Sequence, residues 1–413
     1  MDNNIVVFFL KINNKNYFSD FREYIFLLNS IDLKVIDIIF ININKLDPHA
    51  LIGDIYISKI KKIIIDYVNI SFIFLNYNLT PIQKVNLEKY FGFTFVDYSL
   101  LILKIFHSRA ITYEGKLQVK LAELKYVYAN LIGKWDHLER QRGGMGFTSG
   151  PGEKQIEIDR RIVYDKIRNT ENMINKMKIS RIQNRINRVK NEVPIISLVG
   201  YTNAGKSSLF NFLTGGNAFV DNKLFSTLDP LVRMVNIKYL GNIIFVDTVG
   251  FLKSLPSNIF YAFKITLEEI SFSSLLLHII DLSDRDYKQK VSCVLNILKD
   301  ICPDNIPIIN VYNKIDLLEV DCEVDSIFPN VKISVKRKDD ISALFGLIRT
   351  KLMPDTIFKQ IVLTNTDIKF RTRLYEFGCV DKEVIDSDGN YVLNLIIDRN
   401  KYYYIFRDYV KYV

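Results

Sequence analysis

The tightest constraint on this chain is a ten-residue stretch. Residues 199–208 read VGYTNAGKSS, in which Gly200 and Gly205 enclose YTNA and are followed at once by Lys206 and Ser207. The apolar run IISLVG precedes this loop and the amphipathic stretch KSSLFNFLTGG follows it, so it joins a strand to a helix. That context distinguishes a phosphate cradle from a structural turn with a cap. Glycine permits the backbone dihedrals that turn successive N–H groups inward, and a helix N-terminus aims its partial positive charge at the same point. Lys206 then reaches the β and γ phosphates, and the Ser207 hydroxyl can ligate Mg2+, a hard ion that prefers oxygen. The loop residues assigned to the phosphates are Gly200, Tyr201, Thr202, Asn203, Ala204, Gly205, Lys206, Ser207 and Ser208.

A phosphate loop alone leaves the base undecided between adenine and guanine. NKID, residues 313–316, directly follows the strand-like IPIINVY, and ligands of open α/β sheets bind at strand carboxyl ends. The Asp316 carboxylate can accept two hydrogens from the N1 and N2 edge of guanine, whereas adenine offers no such pair of donors. Lys314 would line the base or brace the phosphate loop, and Asn313 completes the motif. DTVG at 247–250 ends another apolar run: Asp247 would hold the metal through water, and the Gly250 N–H would sense the γ phosphate. Thr227, in FSTLDP, is the candidate for a mobile threonine that completes the metal shell when three phosphates are present, with Ser226 as its competitor. Lys206, Thr227 and Gly250 are therefore the candidate catalytic residues, and Ser207, Thr227 and Asp247 the metal set. Phe251 stands where many nucleotide switches carry a water-orienting glutamine, which predicts slow intrinsic turnover unless backbone groups, a potassium ion near Asn203 or a partner supply the arrangement.

The formal charge of +9 is concentrated in one segment: residues 101–190 hold 19 Lys/Arg against 9 Asp/Glu, and elsewhere the charges nearly cancel. A field of that kind suits a polyanion such as nucleic acid, although a solvated basic helix surface would look similar. Four unpaired cysteines, no leader-like start and no apolar run of spanning length point to a reducing, cytoplasmic setting without membrane insertion. None of the four histidines is linked to a motif, and His278 within LLLHII reads as a core residue.

The pattern predicts an α/β chain of four parts. Residues 1–112 form a small α/β domain. Residues 113–191 form a basic helical hairpin, with helical patterns near 114–128 and 156–189 and a glycine-rich tip, RGGMGFTSGPGE. Residues 192–354 form a nucleotide-binding domain whose apolar runs IISLVG, IIFVDT, LLLHIID and IPIINVYNK, with the weaker VKISV, describe a parallel sheet. A further helix is expected over PSNIFYAFKITLEEISF. Residues 355–413 form a small α/β domain with a hairpin turned at Asp388-Gly389.

With these residues placed, the sequence resembles the HflX family of ribosome-associated GTPases. VGYTNAGKSSLFNFLTG, LFSTLDP, DTVGFLKSLP and AFKITLEE look like its nucleotide-domain signatures, and LTPIQKVNLE, RAITYEGKLQVKLAELKY and GGMGFTSGPGEKQIEIDRR resemble its N-terminal and linker motifs. The resemblance covers nearly the whole chain and is strongest from about 79 to 282. It implies GTP hydrolysis with Mg2+, an asparagine, here Asn203, associated with K+ stimulation, and guanine contacts from Asn313, Lys314, Asp316, Ser334 and Val335. It makes the apolar Phe251 a family property. It also implies a monomer that binds the large ribosomal subunit, touches rRNA through Arg140, Arg142 and Lys154, and helps split or rescue stalled ribosomes. A GTPase of ribosome assembly or of tRNA, and an RNA-binding protein that scarcely turns its nucleotide over, are the competing readings. Four departures stand out: IGDIYISKIKK at 52–62 lacks the family's expected character, Val335 replaces the usual alanine and could crowd the base edge although backbone N–H contacts survive such a change, and Lys120 and Lys154 each add positive charge.

Overall fold

The structure is a computed structural model that describes residues 4–12, 18–31, 33–64, 67, 70–131, 151–190, 193–216, 229–252, 267–302, 306–318, 324, 327–337, 341–364 and 367–407. It separates into two compact units. Among the described residues, the first holds those up to Gln183 together with Asp229, and the second holds the remainder.

The first unit opens with four strands, β1 (Asn4–Ile12), β2 (Lys34–Ile43), β3 (Phe72–Leu75) and β4 (Thr94–Val96), all pairing in parallel in the order β2-β1-β3-β4. Ile5 through Leu10 are buried without interruption, which is why β1 reads as a continuous apolar run instead of an alternating one. Helices α1 (Phe18–Asn29), α2 (Asp54–Ile64), α3 (Pro81–Phe91) and α4 (Tyr98–Arg109) connect and cover the strands. The LTPIQ stretch is a helix start: Thr80 and Gln83 form a reciprocal capping box, with Pro81 in the first turn. Helices α5 (Tyr113–Asn130) and α6 (Pro151–Lys190) realise both long helical patterns. They run antiparallel, because Lys125 pairs with Glu171 at 2.9 Å while Tyr128, further along α5, meets Tyr164 and the Arg160 guanidinium, both earlier on α6. Asp229 belongs to this unit. Its carboxylate accepts from the Ile111 N–H (2.9 Å), the Thr112 N–H (2.7 Å) and the Thr112 hydroxyl (2.5 Å) at the start of α5.

The second unit is built on a six-stranded sheet of β5 (Ile195–Gly200), β6 (Leu231–Ile237), β7 (Gly241–Asp247), β8 (Leu275–Asp281), β9 (Ile308–Asn313) and β10 (Asn330–Lys332), in the order β10-β9-β8-β5-β7-β6. Every pairing is parallel except β6 with β7. The sheet is thus parallel-type, as the sequence predicts, with an antiparallel edge strand. LVRMVNI carries no unbroken apolar run in the sequence, because Arg233 and Asn236 interrupt its apolar residues, and as an edge strand most of its side chains are exposed. Helices α7 (Lys206–Thr214), α8 (Tyr287–Ile301) and α9 (Ile341–Leu352) flank it, and α7 ends on Gly215 in the left-handed conformation. The core runs from Ile196 and Leu198 through Phe210, Phe245, Leu277 and Val311 to Leu344 and Ile348.

The remaining residues of this unit form a three-stranded antiparallel sheet of β11 (Thr356–Leu363), β12 (Val380–Ile385) and β13 (Tyr391–Asp398), covered by α10 (Ile368–Glu376) and α11 (Arg399–Phe406) around Phe370, Leu393 and Phe406. The β12–β13 turn falls where Asp388-Gly389 predicts it, with Gly389 at φ 80°. The β6–β7 turn seats on this subdomain: Tyr239 donates its N–H to Gly378 O (2.8 Å) and its hydroxyl to Asp381 (2.6 Å). Lys401 donates to Leu240 O and Phe377 O. Gly241 and Gly378 meet backbone to backbone, and a Cβ on Gly378 would stand 2.6 Å from Gly241 Cα.

Candidate nucleotide-binding site

Strands β5, β7 and β9 end on the same edge of the sheet, and their carboxyl ends deliver the phosphate loop, Asp247 and Asn313 respectively. Gly200 has φ 152° and Gly205 φ 95°; a side chain on the first would overlap Ile279 O, and on the second the Asn313 amide. Asn203 also takes a positive φ, 62°, which asparagine tolerates better than most residues. Gly205 caps α7 without a side chain of its own, so the cap residue does not compete for the first N–H groups of that helix.

Lys206 is buried, and its ammonium donates to Tyr201 O at 2.8 Å. Burial lowers its pKa from 10.5 to about 8, while the nearby Asp247 carboxylate pulls the other way. Ser207 donates its hydroxyl to Asp247 Oδ2 at 2.6 Å, and Asp247 is fully buried. A buried hydroxyl paired with a carboxylate beside the phosphate loop is an all-oxygen donor set that fits Mg2+. Thr248 secures the strand end by donating to Leu198 O (2.7 Å).

Phe251 is 1% exposed. Its backbone is zipped to the phosphate loop, the Thr202 N–H donating to Phe251 O (2.9 Å) and the Phe251 N–H to Gly200 O (3.1 Å). This brings Gly250 over the loop. A Cβ there would lie 2.7 Å from Thr202 Cγ2 and 3.0 Å from Lys206 Nζ, so only glycine fits the conformation. The ring is packed away and offers nothing to a water molecule.

The guanine motif is cross-braced to the same loop. Asn313 donates to Ala204 O (3.0 Å) and its Oδ1 accepts the Val335 N–H (3.3 Å). Lys314, at φ 66°, donates to Asn203 O (2.8 Å) and pairs with Asp281 (2.6 Å). Asp316 accepts the Ser334 hydroxyl (2.7 Å), which holds its carboxyl below the usual carboxylate range. Val335, the residue that could crowd the base edge, is partly buried and packs against the core.

Gly200 to Ser208, Asp247, Gly250, Asn313, Lys314, Asp316, Ser334 and Val335 therefore come together at one end of one sheet. Thr227, its competitor Ser226, Arg140, Arg142 and most of the expected 256–272 helix lie outside the described residues, as does the side chain of Lys154. Two contributors were missed. Asp281, which anchors Lys314, was signalled by its place at the end of LLLHIID; Lys290, 4.8 Å over the Tyr201 ring and paired with Asp284, lies on α8 and has no sequence signal. His278 is buried, bonded to Asn310 and outside this set. Among the described residues no cluster of His, Cys, Asp and Glu suits a metal held by those residues alone, and no helix is long and apolar enough to cross a membrane.

Three family models match: a GTP-binding GTPase N-terminal region over residues 19–107, a GTP-binding GTPase middle region over 109–188, and a 50S ribosome-binding GTPase over 195–314. GTPase HflX of Escherichia coli is 34% identical over 91% of this chain and 89% of its own length. GTPase HflX of Caldanaerobacter subterraneus is 39% identical over 81% and 78%. A solved GTP-binding protein from Sulfolobus solfataricus in complex with GDP is 24% identical, covering 84% of this chain and 98% of its own, with a TM-score of 0.45.

Proposed function

Because the chain belongs to the HflX family of GTPases, we propose that it binds the large ribosomal subunit and couples GTP binding and hydrolysis to the splitting or rescue of stalled ribosomes. The observation that carries this reading is the coincidence of the 195–314 match, described as a 50S ribosome-binding GTPase, with the assembled phosphate, metal and guanine groups. The excess positive charge of residues 101–190 supports an RNA-facing surface, to which Arg140, Arg142 and Lys154 would contribute phosphate contacts. Thr227 and Gly250 are assigned to the segments that order around the terminal phosphate.

In this reading the loop amides and the α7 N-terminus hold the β phosphate, Lys206 bridges to the γ phosphate, and Asp316 with the Ser334–Val335 turn selects guanine. Ser207, Thr227 and water-bridged Asp247 would hold Mg2+, which neutralises phosphate charge when bound. Since Phe251 cannot orient water, the intrinsic rate is slow and the ribosomal partner supplies the missing arrangement. The protein works in the cytoplasm as a monomer when free.

The test is phosphate release by wild type and Lys206→Ala, with and without purified large subunits, in K+ and in Na+. Stimulation by large subunits of wild type only, greater in K+, is expected. Identical rates for wild type and variant would remove the enzymatic part, and hydrolysis indifferent to ribosomal subunits would remove the ribosomal part.

A further inference from the structure

Most polar side chains of the phosphate loop and its braces already have protein partners: Lys206 on Tyr201 O, Ser207 on Asp247, Asn313 on Ala204 O, Lys314 on Asn203 O. Thr202 differs. It is 6% exposed, and its hydroxyl has no hydrogen-bond partner among the described residues. Its backbone cannot shift freely, because the N–H is committed to Phe251 O at 2.9 Å. Buried hydroxyls are nearly always paired, and one left over within a binding loop is accounted for when a ligand oxygen supplies the acceptor.

The neighbours say which oxygen. Thr202 precedes the N–H groups of Ala204 to Ser207 that wrap the inner phosphate, so its side chain belongs to the outer side of the cradle. It is also the loop residue against which Gly250 packs: a Cβ on Gly250 would meet Thr202 Cγ2 at 2.7 Å, Thr202 Cα at 2.9 Å and Lys206 Nζ at 3.0 Å. The residue thus sits where the loop, the Gly250 segment and the lysine amine converge, and those are the parts assigned to the terminal phosphate. We propose that the Thr202 hydroxyl donates a hydrogen bond to a γ-phosphate oxygen of bound GTP and so helps the protein distinguish GTP from GDP. The inference rests on the GTP site described above and assigns one of its side chains a specific role.

The test uses the full chain with Thr202→Val, which keeps the shape and the methyl contact with Gly250, and Thr202→Ser, which keeps the hydroxyl. Affinities are measured for GDP and for a non-hydrolysable GTP analogue in Mg2+, with single-turnover hydrolysis in parallel. A hydrogen bond to a charged phosphate predicts that Thr202→Val loses about tenfold to a hundredfold in affinity for the triphosphate, keeps GDP affinity within about twofold, and that Thr202→Ser recovers most of the loss. GDP binding by the variant certifies its fold. Equal loss for both nucleotides would overturn the proposal in favour of a role in loop structure. Unchanged affinities with slower hydrolysis would overturn it in favour of water positioning, and no change in anything would overturn it outright. Wild type that bound neither nucleotide would sink the guanine-nucleotide site itself, a different failure.

Discussion

Lys206 offers the sharpest physical handle on this site, because its environment in the free protein is wrong for its charge. Buried and served by one carbonyl oxygen, its ammonium has a pKa of about 8 in place of 10.5. A polyphosphate placed against it restores the ordinary preference for the charged form, so binding takes up a proton wherever the free lysine is neutral. With a free pKa of about 8, roughly nine tenths of the protein is charged at pH 7 and roughly one tenth at pH 9. If the bound form stays charged throughout, affinity falls about tenfold across that interval, about 1.4 kcal/mol, the loss coming as pH rises through about 8. At pH 8 the uptake is about half a proton per nucleotide, which calorimetry detects as a dependence of the binding enthalpy on the ionisation enthalpy of the buffer. Lys206→Met should bind more weakly and lack this tenfold fall, so the difference between the wild-type and variant profiles isolates the lysine, since the titrations of phosphate and base are common to both proteins. No proton uptake at pH 8, together with equal pH profiles for wild type and variant between pH 7 and 9, would refute the argument.

Three other outcomes follow from the same geometry. Gly205→Ala forces a side chain onto the Asn313 amide at φ 95°, so nucleotide affinity should fall at least about tenfold and stability by about 1–3 kcal/mol, read by calorimetric titration and urea unfolding; unchanged binding would mean the Asn313–Ala204 brace is dispensable. Phe251→Gln places an amide where a ring is 1% exposed, so it should cost about 2–4 kcal/mol in stability without accelerating single-turnover hydrolysis; a faster rate would show that the ring does not stay packed. His278 is held neutral by burial, with its pKa lowered from 6.5 to about 4, so the unfolded chain binds more protons between those values and stability drops by roughly 3 kcal/mol as pH falls from about 6.5 to 4. His278→Gln should remove that component from the pH dependence of denaturant unfolding; curves of identical shape would count against it.

The parts of the fold that were legible in the sequence are those where local chemistry and global placement demand the same residues. Gly200 and Gly205 must be glycine because backbone oxygen and the Asn313 amide occupy the space of any side chain, and such positions appear in the sequence as a motif. Strands β5, β8 and β9 show as nearly continuous apolar runs, interrupted by Ser197, His278 and Asn310, because both of their faces are covered. Strand β6 is less legible, since Arg233 and Asn236 interrupt its apolar residues and most of its side chains are exposed, while Val235 and Ile237 pack on the core; its register comes from pairing with β7. Asp281 and Lys290 differ in this respect: the place of Asp281 at the carboxyl end of LLLHIID is a signal, whereas Lys290 reaches the Tyr201 ring from a helix far away in sequence and carries no spacing pattern. Val335, which departs from the usual alanine, packs partly against the core beside the guanine motif, a placement that no spacing in the sequence shows.

The seating of the β6–β7 turn on the C-terminal subdomain bears on how a nucleotide signal could travel within the second unit. Strand β7 ends at Asp247 beside the phosphate loop and begins at Gly241, whose backbone touches Gly378. Strand β6 lies antiparallel to β7 from end to end, so neither can slide past the other without breaking their shared ladder. The turn is held by Tyr239 on Gly378 O and Asp381, by Lys401 on two carbonyls, and by the two glycines at φ 76° and 66°, which leave no room for a Cβ. A displacement of β7 at its Asp247 end therefore either stops at this anchor or carries the subdomain with it. Gly378→Val replaces a backbone contact with a clash and an unfavourable left-handed valine, so it separates these outcomes. If the anchor is rigid, the variant should loosen hydrogen-exchange protection in β12 and the β6–β7 turn while the nucleotide affinity of the second unit is retained. If it conducts, affinity should change along with protection.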